Sequence, residues 1–106
     1  MPATAQFATG ACAATLTTVG TVTTGKRSLY LELTVCNTGS SERVVDVTID
    51  SRYVIKGHAT NNFLAPGQSV TYKTRHHLVA GTTIKVNQNS GTDCEFNLTI
   101  REAPSL

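Results

Sequence analysis

Three cysteines, three histidines and seven acidic residues are the side chains of this sequence that could carry covalent or metal chemistry. Cys36 stands out first. It lies in LELTVCNTGSSERVVDVTID (31–50), beside Asn37 at the edge of a polar turn. A nucleophilic thiol needs a base within reach and a group to orient that base. His58, His76 and His77 are the available imidazoles, and no recognisable motif surrounds any of them. Cys36 therefore reads as a small residue at a strand end, and Cys94 as a buried small hydrophobe. His76 and His77 are adjacent, and adjacent strand residues point to opposite faces, so the two cannot readily share one ion. Asp46 and Asp50 fall on one strand face, a spacing open to calcium binding or glycoside chemistry, but the loops that accompany either are missing. Gly25-Lys26 lacks the first glycine and the hydroxyl-bearing order of a phosphate loop. The sequence predicts no catalytic residues, no metal and no cofactor.

Charge is low and dispersed. Charged residues make up 15% of the chain, the net charge is +2 and the pI about 8.6. Lys73, Arg75 and Lys85 share outward parity and could gather as a patch for an anionic partner. The aromatic residues Phe7, Tyr30, Tyr53, Phe63, Tyr72 and Phe96 are scattered, without the stacking platform that single-stranded nucleic acid or sugars prefer. No direct nucleic-acid contact is expected. No apolar run reaches the roughly 18–20 residues of a membrane-spanning helix, so no membrane partner is expected. The start, MPATAQFATGACAATL, has neither the basic opening nor the apolar centre of a signal peptide, which predicts synthesis and retention in a cytoplasm. The odd cysteine count and wide spacing of Cys12, Cys36 and Cys94 argue against a disulfide framework. They leave open whether one pair bridges in an oxidised setting.

These residues must be positioned by strands, because nothing in the chain repeats helical spacing over more than one turn. Residues 1–13 show no period and read as an N-terminal arm ordered by a partner. From residue 14 the period is two. Strands are predicted over 14–19, 27–35, 43–50, 51–57, 69–77, 82–88 and 94–101. Leu29, Leu31, Leu33 and Val35 face inward on the second, Val45, Val47 and Ile49 on the third, and Tyr53 and Ile55 together on the fourth. Ile84 and Val86 face inward, as do Cys94, Phe96, Leu98 and Ile100. The second and third strands read as a hairpin joined by the turn formers NTGSSE. Seven short strands with one apolar face each predict a single all-β domain over 14–102, an antiparallel β-sandwich of jelly-roll or immunoglobulin-like order, with 103–106 as a tail.

The order of motifs then adds a resemblance. Gly25-Lys26 leads into a strand ending in Cys36-Asn37. A polar turn and a second strand follow, then a Leu-x-Pro-Gly turn at 64–67, a Leu-x-x-Gly-x-x-Ile-x-Val segment at 78–86, and an alternating strand from Cys94 to Arg101. Across residues 24–102 this resembles a family of small bacteriophage virion proteins, with Thr24 and Thr82 standing where that family carries proline and an acidic residue. The resemblance implies a non-enzymatic building block of a phage particle, made in the host bacterial cytoplasm and located in the virion. It implies the major capsid protein or other virion proteins as partners, and a homo-oligomer. A capsid decoration or cement protein is the first expectation. A tail, neck, baseplate or fibre component is the second, and a carbohydrate- or receptor-binding sandwich module the third. The expected partner contacts are Phe7, His58, Asn61, Asn62, Phe63, Lys73 and Arg75.

Overall fold

The computed structural model describes residues 4–57 and 63–105 of the chain. Eight strands and one two-residue segment run through them: β1 (Thr4–Ala11), β2 (Thr17–Thr21), β3 (Lys26–Asn37), β4 (Arg43–Ile49), β5 (Arg52–Lys56), the short β6 (Phe63–Leu64), β7 (Ser69–Thr74), β8 (Thr83–Gln88) and β9 (Cys94–Pro104). They form two antiparallel sheets, one ordered β1-β9-β3-β7 and the other β2-β8-β4-β5, with β6 pairing the start of β4. Apart from the β4–β5 hairpin and the β6 segment that follows it, each step along the chain crosses from one sheet to the other. That is the jelly-roll order, in which two four-stranded sheets wrap a shared core.

The all-β sandwich agrees with the alternation in the sequence. Leu31, Leu33, Val35, Val45, Val47, Ile84, Val86, Leu98 and Ile100 are almost wholly buried and fill the space between the sheets. Fully burying one such side chain is worth about 1.5–3 kcal/mol, so this set is the main source of stability.

The connections differ from expectation in informative ways. The strands of LELTVCNTGSSERVVDVTID are not a hairpin: β3 lies in one sheet, β4 in the other, and residues 38–42 carry the chain between them. Alternation shows which residues face the core but not whether two apolar faces lie side by side or face each other across it. The hairpin is instead β4–β5, whose two-residue turn is Asp50-Ser51, both with positive φ (54° and 62°). Positive φ at both central residues is the turn geometry that matches strand twist.

Two bulges also shift parity. An extra residue between Ser28 and Tyr30 turns Ser28, not Leu29, into the core. Another, at Val54, separates Tyr53 from Ile55, leaving Tyr53 on the outer face, 52% exposed.

Within the expected N-terminal arm, residues 4–11 form a strand paired inside the chain rather than a segment ordered by a partner. β1 pairs with β9 from Thr4↔Glu102 to Ala11↔Glu95, and Cys12 is fully buried. Similarly, β9 runs on through Pro104, so the first two residues of the expected C-terminal tail, Ala103 and Pro104, are sheet.

Polar side chains close the core at strand ends. At one end Glu102, 2% exposed, accepts from Gln6 Nε2 (3.1 Å), Thr23 N (2.7 Å) and Thr23 Oγ1 (2.9 Å). At the other end Asn37 donates to Ser41 O (2.7 Å) and Leu64 O (2.8 Å) and accepts from Gly39 N (3.0 Å). Near it Gln88 accepts from Cys94 N and donates to Asp93 Oδ1, and Arg43 Nε donates to the same oxygen at 2.8 Å.

The Arg43 and Gln88 hydrogen bonds hold the Asp93 carboxyl below its ordinary value of 3.8. A carboxyl depressed in the folded state stabilises it above the ordinary value, and that stabilisation is lost as pH falls through the folded value. The urea midpoint of the wild type should therefore fall more steeply below about pH 4 than that of Asp93→Asn. Parallel acid limbs for the two proteins would exclude Asp93 as a source of the pH dependence.

Candidate interaction surface

The outer face of the β1-β9-β3-β7 sheet collects more of the predicted contact residues than any other described part of the molecule. Strand register lays its side chains in rows. Phe7 stands opposite Thr99, Thr99 opposite Glu32, and Glu32 opposite Lys73. The adjoining row carries Thr9, Asn97, Thr34 and Thr71. Beyond it lie Ala11, Glu95, Cys36 and Ser69. Threonine fits here because a β-branched side chain packs well on a pleated surface while keeping a hydroxyl for water or a partner. Thr34 and Thr71 also bond to each other across the strands, at 2.9 Å.

Two features mark the opposite borders of this face. At one border β1 is the edge strand. Its sequence, TAQFATGA, has no charge and no proline, and Phe7 on it is 74% exposed. Exposed edge strands are usually blunted by charge, proline or a covering segment; the side chains of β1 provide none of these. At the other border Tyr30, Lys73, Thr74 and Arg75 line a shallow cleft of about 210 Å³. Tyr30 donates its phenolic hydrogen to Glu32 Oε1 at 2.8 Å, and this bond is the main reason its pKa lies above the ordinary phenol value. Three inter-strand spacings, about 14 Å, separate the two borders.

The expected contact residues thus divide. Phe7, Lys73 and Arg75 belong to one sheet and its margin. Phe63 is in β6, opposite Val44 and beside the other sheet. Lys85 lies on β8 in that second sheet, so the patch of Lys73, Arg75 and Lys85 inferred from parity does not form: equal parity on strands of opposite sheets points to opposite sides of the sandwich. His58, Asn61 and Asn62 lie outside the described residues.

The chemistry-bearing residues are also placed. Cys36 is on the outer face with Glu95 and Ser69 as its cross-strand neighbours, which is not a thiol–imidazole pair. His76 and His77 follow the end of β7. Arg27 Nη1 donates to His77 Nδ1 at 3.0 Å, setting a cation beside that ring. Asp46 is buried and Asp50 exposed in the hairpin turn, so the pair offers no shared open site.

Sequence reasoning missed Glu102, Asn37 and Gln88, the polar closures that hold this sheet to its neighbour. The signal was present: each continues the inward alternation one step past the last apolar residue, after Ile100, Val35 and Val86 respectively.

No protein-family model and no curated protein matches the sequence. Similar solved structures include a subunit of Bacillus endospore appendages, described as a novel family of disulfide-linked pili. It is 16% identical with a TM-score of 0.59, over 98% of this chain and 88% of that one. The cyanophage Pam1 capsid asymmetric unit aligns at 15% identity and TM-score 0.49, over 97% and 86% of the two chains. An exo-β-1,3-galactanase from Phanerochaete chrysosporium, solved with galactose, aligns at 13% identity and TM-score 0.45, over 95% of this chain but 29% of that one. What this chain has in common with the appendage subunit is its fold, a two-sheet β-sandwich traced over nearly its whole length.

Proposed function

We propose that this chain is a non-catalytic structural protein of a bacteriophage particle. In this reading it is a capsid decoration protein that lays the outer face of its four-stranded sheet, and the β1 edge, against neighbouring shell subunits. The observation that carries the reading is β1 itself: an uncharged eight-residue edge strand with Phe7 projecting from it. Such an edge is a ready template for pairing with another chain, and an exposed aromatic beside it supplies an anchor. The motif resemblance across residues 24–102 supports the choice of a virion partner. A protein that binds only the assembled shell stabilises that state by mass action, and repetition over the shell multiplies a weak single contact.

The test is co-sedimentation of purified chain with shells stripped of it. Phe7→Asp should weaken binding about tenfold or more, the loss expected of an aromatic hot spot replaced by a charge. Thermal stability should stay near wild type, because Phe7 is exposed. Wild-type affinity in this variant would remove the β1 border from the interface.

A further inference from the structure

We infer that Cys12 and Cys94 are a built disulfide site, which under oxidising conditions joins the end of β1 covalently to the start of β9. This inference does not depend on what the sheet face binds.

The β1–β9 register runs without a break to Ala11↔Glu95, and the next pair in it is Cys12 and Cys94. Cys12 N donates to Cys94 O at 2.8 Å, so the pairing extends to this rung. Directly opposed residues of such a pair have Cα atoms about 5.5 Å apart, inside the range that a disulfide spans. Both side chains share the inward face and both residues are 0% exposed, so the two thiols lie within one pocket of the core. Cys36 is on the opposite, outer face of the sheet, so in the folded chain Cys12 and Cys94 face each other without it. The rung is also incompletely bonded. The Cys94 amide donates to Gln88 Oε1, which leaves a single backbone bond at the end of β1.

The location gives the bond a purpose. β1 buries little of its own, with most of its side chains exposed and Ala8 its main contact with the core. A covalent tie at Cys12 would hold this weakly docked edge strand, and with it Phe7, in place. It would also close a ring around most of the chain, the arrangement in which a cross-link restricts the unfolded state most. Burial, and secondarily Cys94, pushes the Cys12 thiol up to about 12. Exchange on the closed fold is therefore slow, and the bond forms when the β1 end opens or before the core closes.

The reaction is a thiol–disulfide exchange with a small-molecule disulfide such as oxidised glutathione. One cysteine thiolate attacks that disulfide, forming a mixed disulfide and releasing one glutathione thiolate. The second cysteine thiolate then attacks the protein sulfur of the mixed disulfide, expelling the other glutathione. Two protein thiols are oxidised, one external disulfide is reduced, and the two departing thiolates take up the protons.

The experiment refolds the full chain in oxidised and reduced glutathione, then counts thiols in denaturant and maps linked peptides. The expected thiol count is one, Cys36, down from three, with Cys12 and Cys94 in one cross-linked peptide and the chain monomeric on a non-reducing gel. Cys36→Ser should then show no free thiol and remain monomeric. Digestion should cut within residues 4–11 much more slowly in the oxidised than in the reduced protein. Three remaining thiols, a bond involving Cys36, or disulfide-linked dimers of Cys36→Ser would overturn the assignment. So would equal cleavage of the β1 segment in the two redox forms.

Discussion

Glu102→Ala should lower the unfolding free energy by about 2–4 kcal/mol and release β1 from the sheet. The carboxyl is almost wholly buried, and its oxygens accept three hydrogen bonds, from Gln6 on β1 and from the amide and hydroxyl of Thr23 after β2. One side chain therefore ties three segments at one end of the sandwich. A hydrogen bond to a charged group is typically worth about 1.5–3 kcal/mol, and a donor left unmet in a partly buried place costs further. Thr23 is itself exposed, so water recovers part of the loss, which sets the estimate below the sum of three bonds. Glu102→Gln should lose less, because it keeps one acceptor oxygen. Urea unfolding gives the free energy, and hydrogen exchange of the β1 amides reports the release. Unchanged β1 protection in Glu102→Ala would show that Gln6 and Thr23 are held by other contacts.

Asn37→Ala should cost about 2–4 kcal/mol at the opposite end. The Asn37 side chain is fully buried and makes three bonds, giving hydrogens to Ser41 O and Leu64 O and taking one from Gly39 N. Its backbone joins the same cluster, with Asn37 N donating to Gln68 O and Asn37 O accepting from Gly67 N. The crossing from β3 to β4 and the turn before β7 are thus set by one residue. Asn37→Asp is the sharper comparison. It is nearly isosteric but would face two carbonyl oxygens with acceptors only, so its loss should equal or exceed that of alanine. A loss below about 1 kcal/mol for both variants would mean that the two loops are held without this side chain.

How far the sequence disclosed this structure depends on what each part is made of. Strands β3, β4, β8 and β9 were legible because Leu, Val and Ile alternate on them and end in the core. β1 was not, because its inward residues Gln6 and Ala8 are polar or small. What makes β1 a strand is an open edge on β9, not any apolar period of its own. The β3–β4 crossover reads as a hairpin in the sequence for a related reason: period two orders faces within a strand and carries no information on which strands are partners. Single-residue bulges place Leu29 and Tyr53 against the parity that alternation predicts, because a bulge shifts parity without altering composition. For the interaction surface, Phe7 could be found as the one aromatic in a segment of mostly Ala, Thr and Gly, and Lys73 with Arg75 by parity. Their union with Tyr30 at one border of the sheet needed the β3–β7 pairing.

The proposed decoration role makes a direct demand on the copy number of this chain in purified virions of a phage carrying its gene, measured against the major shell protein by quantitative mass spectrometry. A decoration protein should be present in a ratio comparable to that of the shell protein. A ratio of a few per cent would contradict decoration and assign the chain to the tail or neck, and complete absence from particles would contradict a virion role altogether.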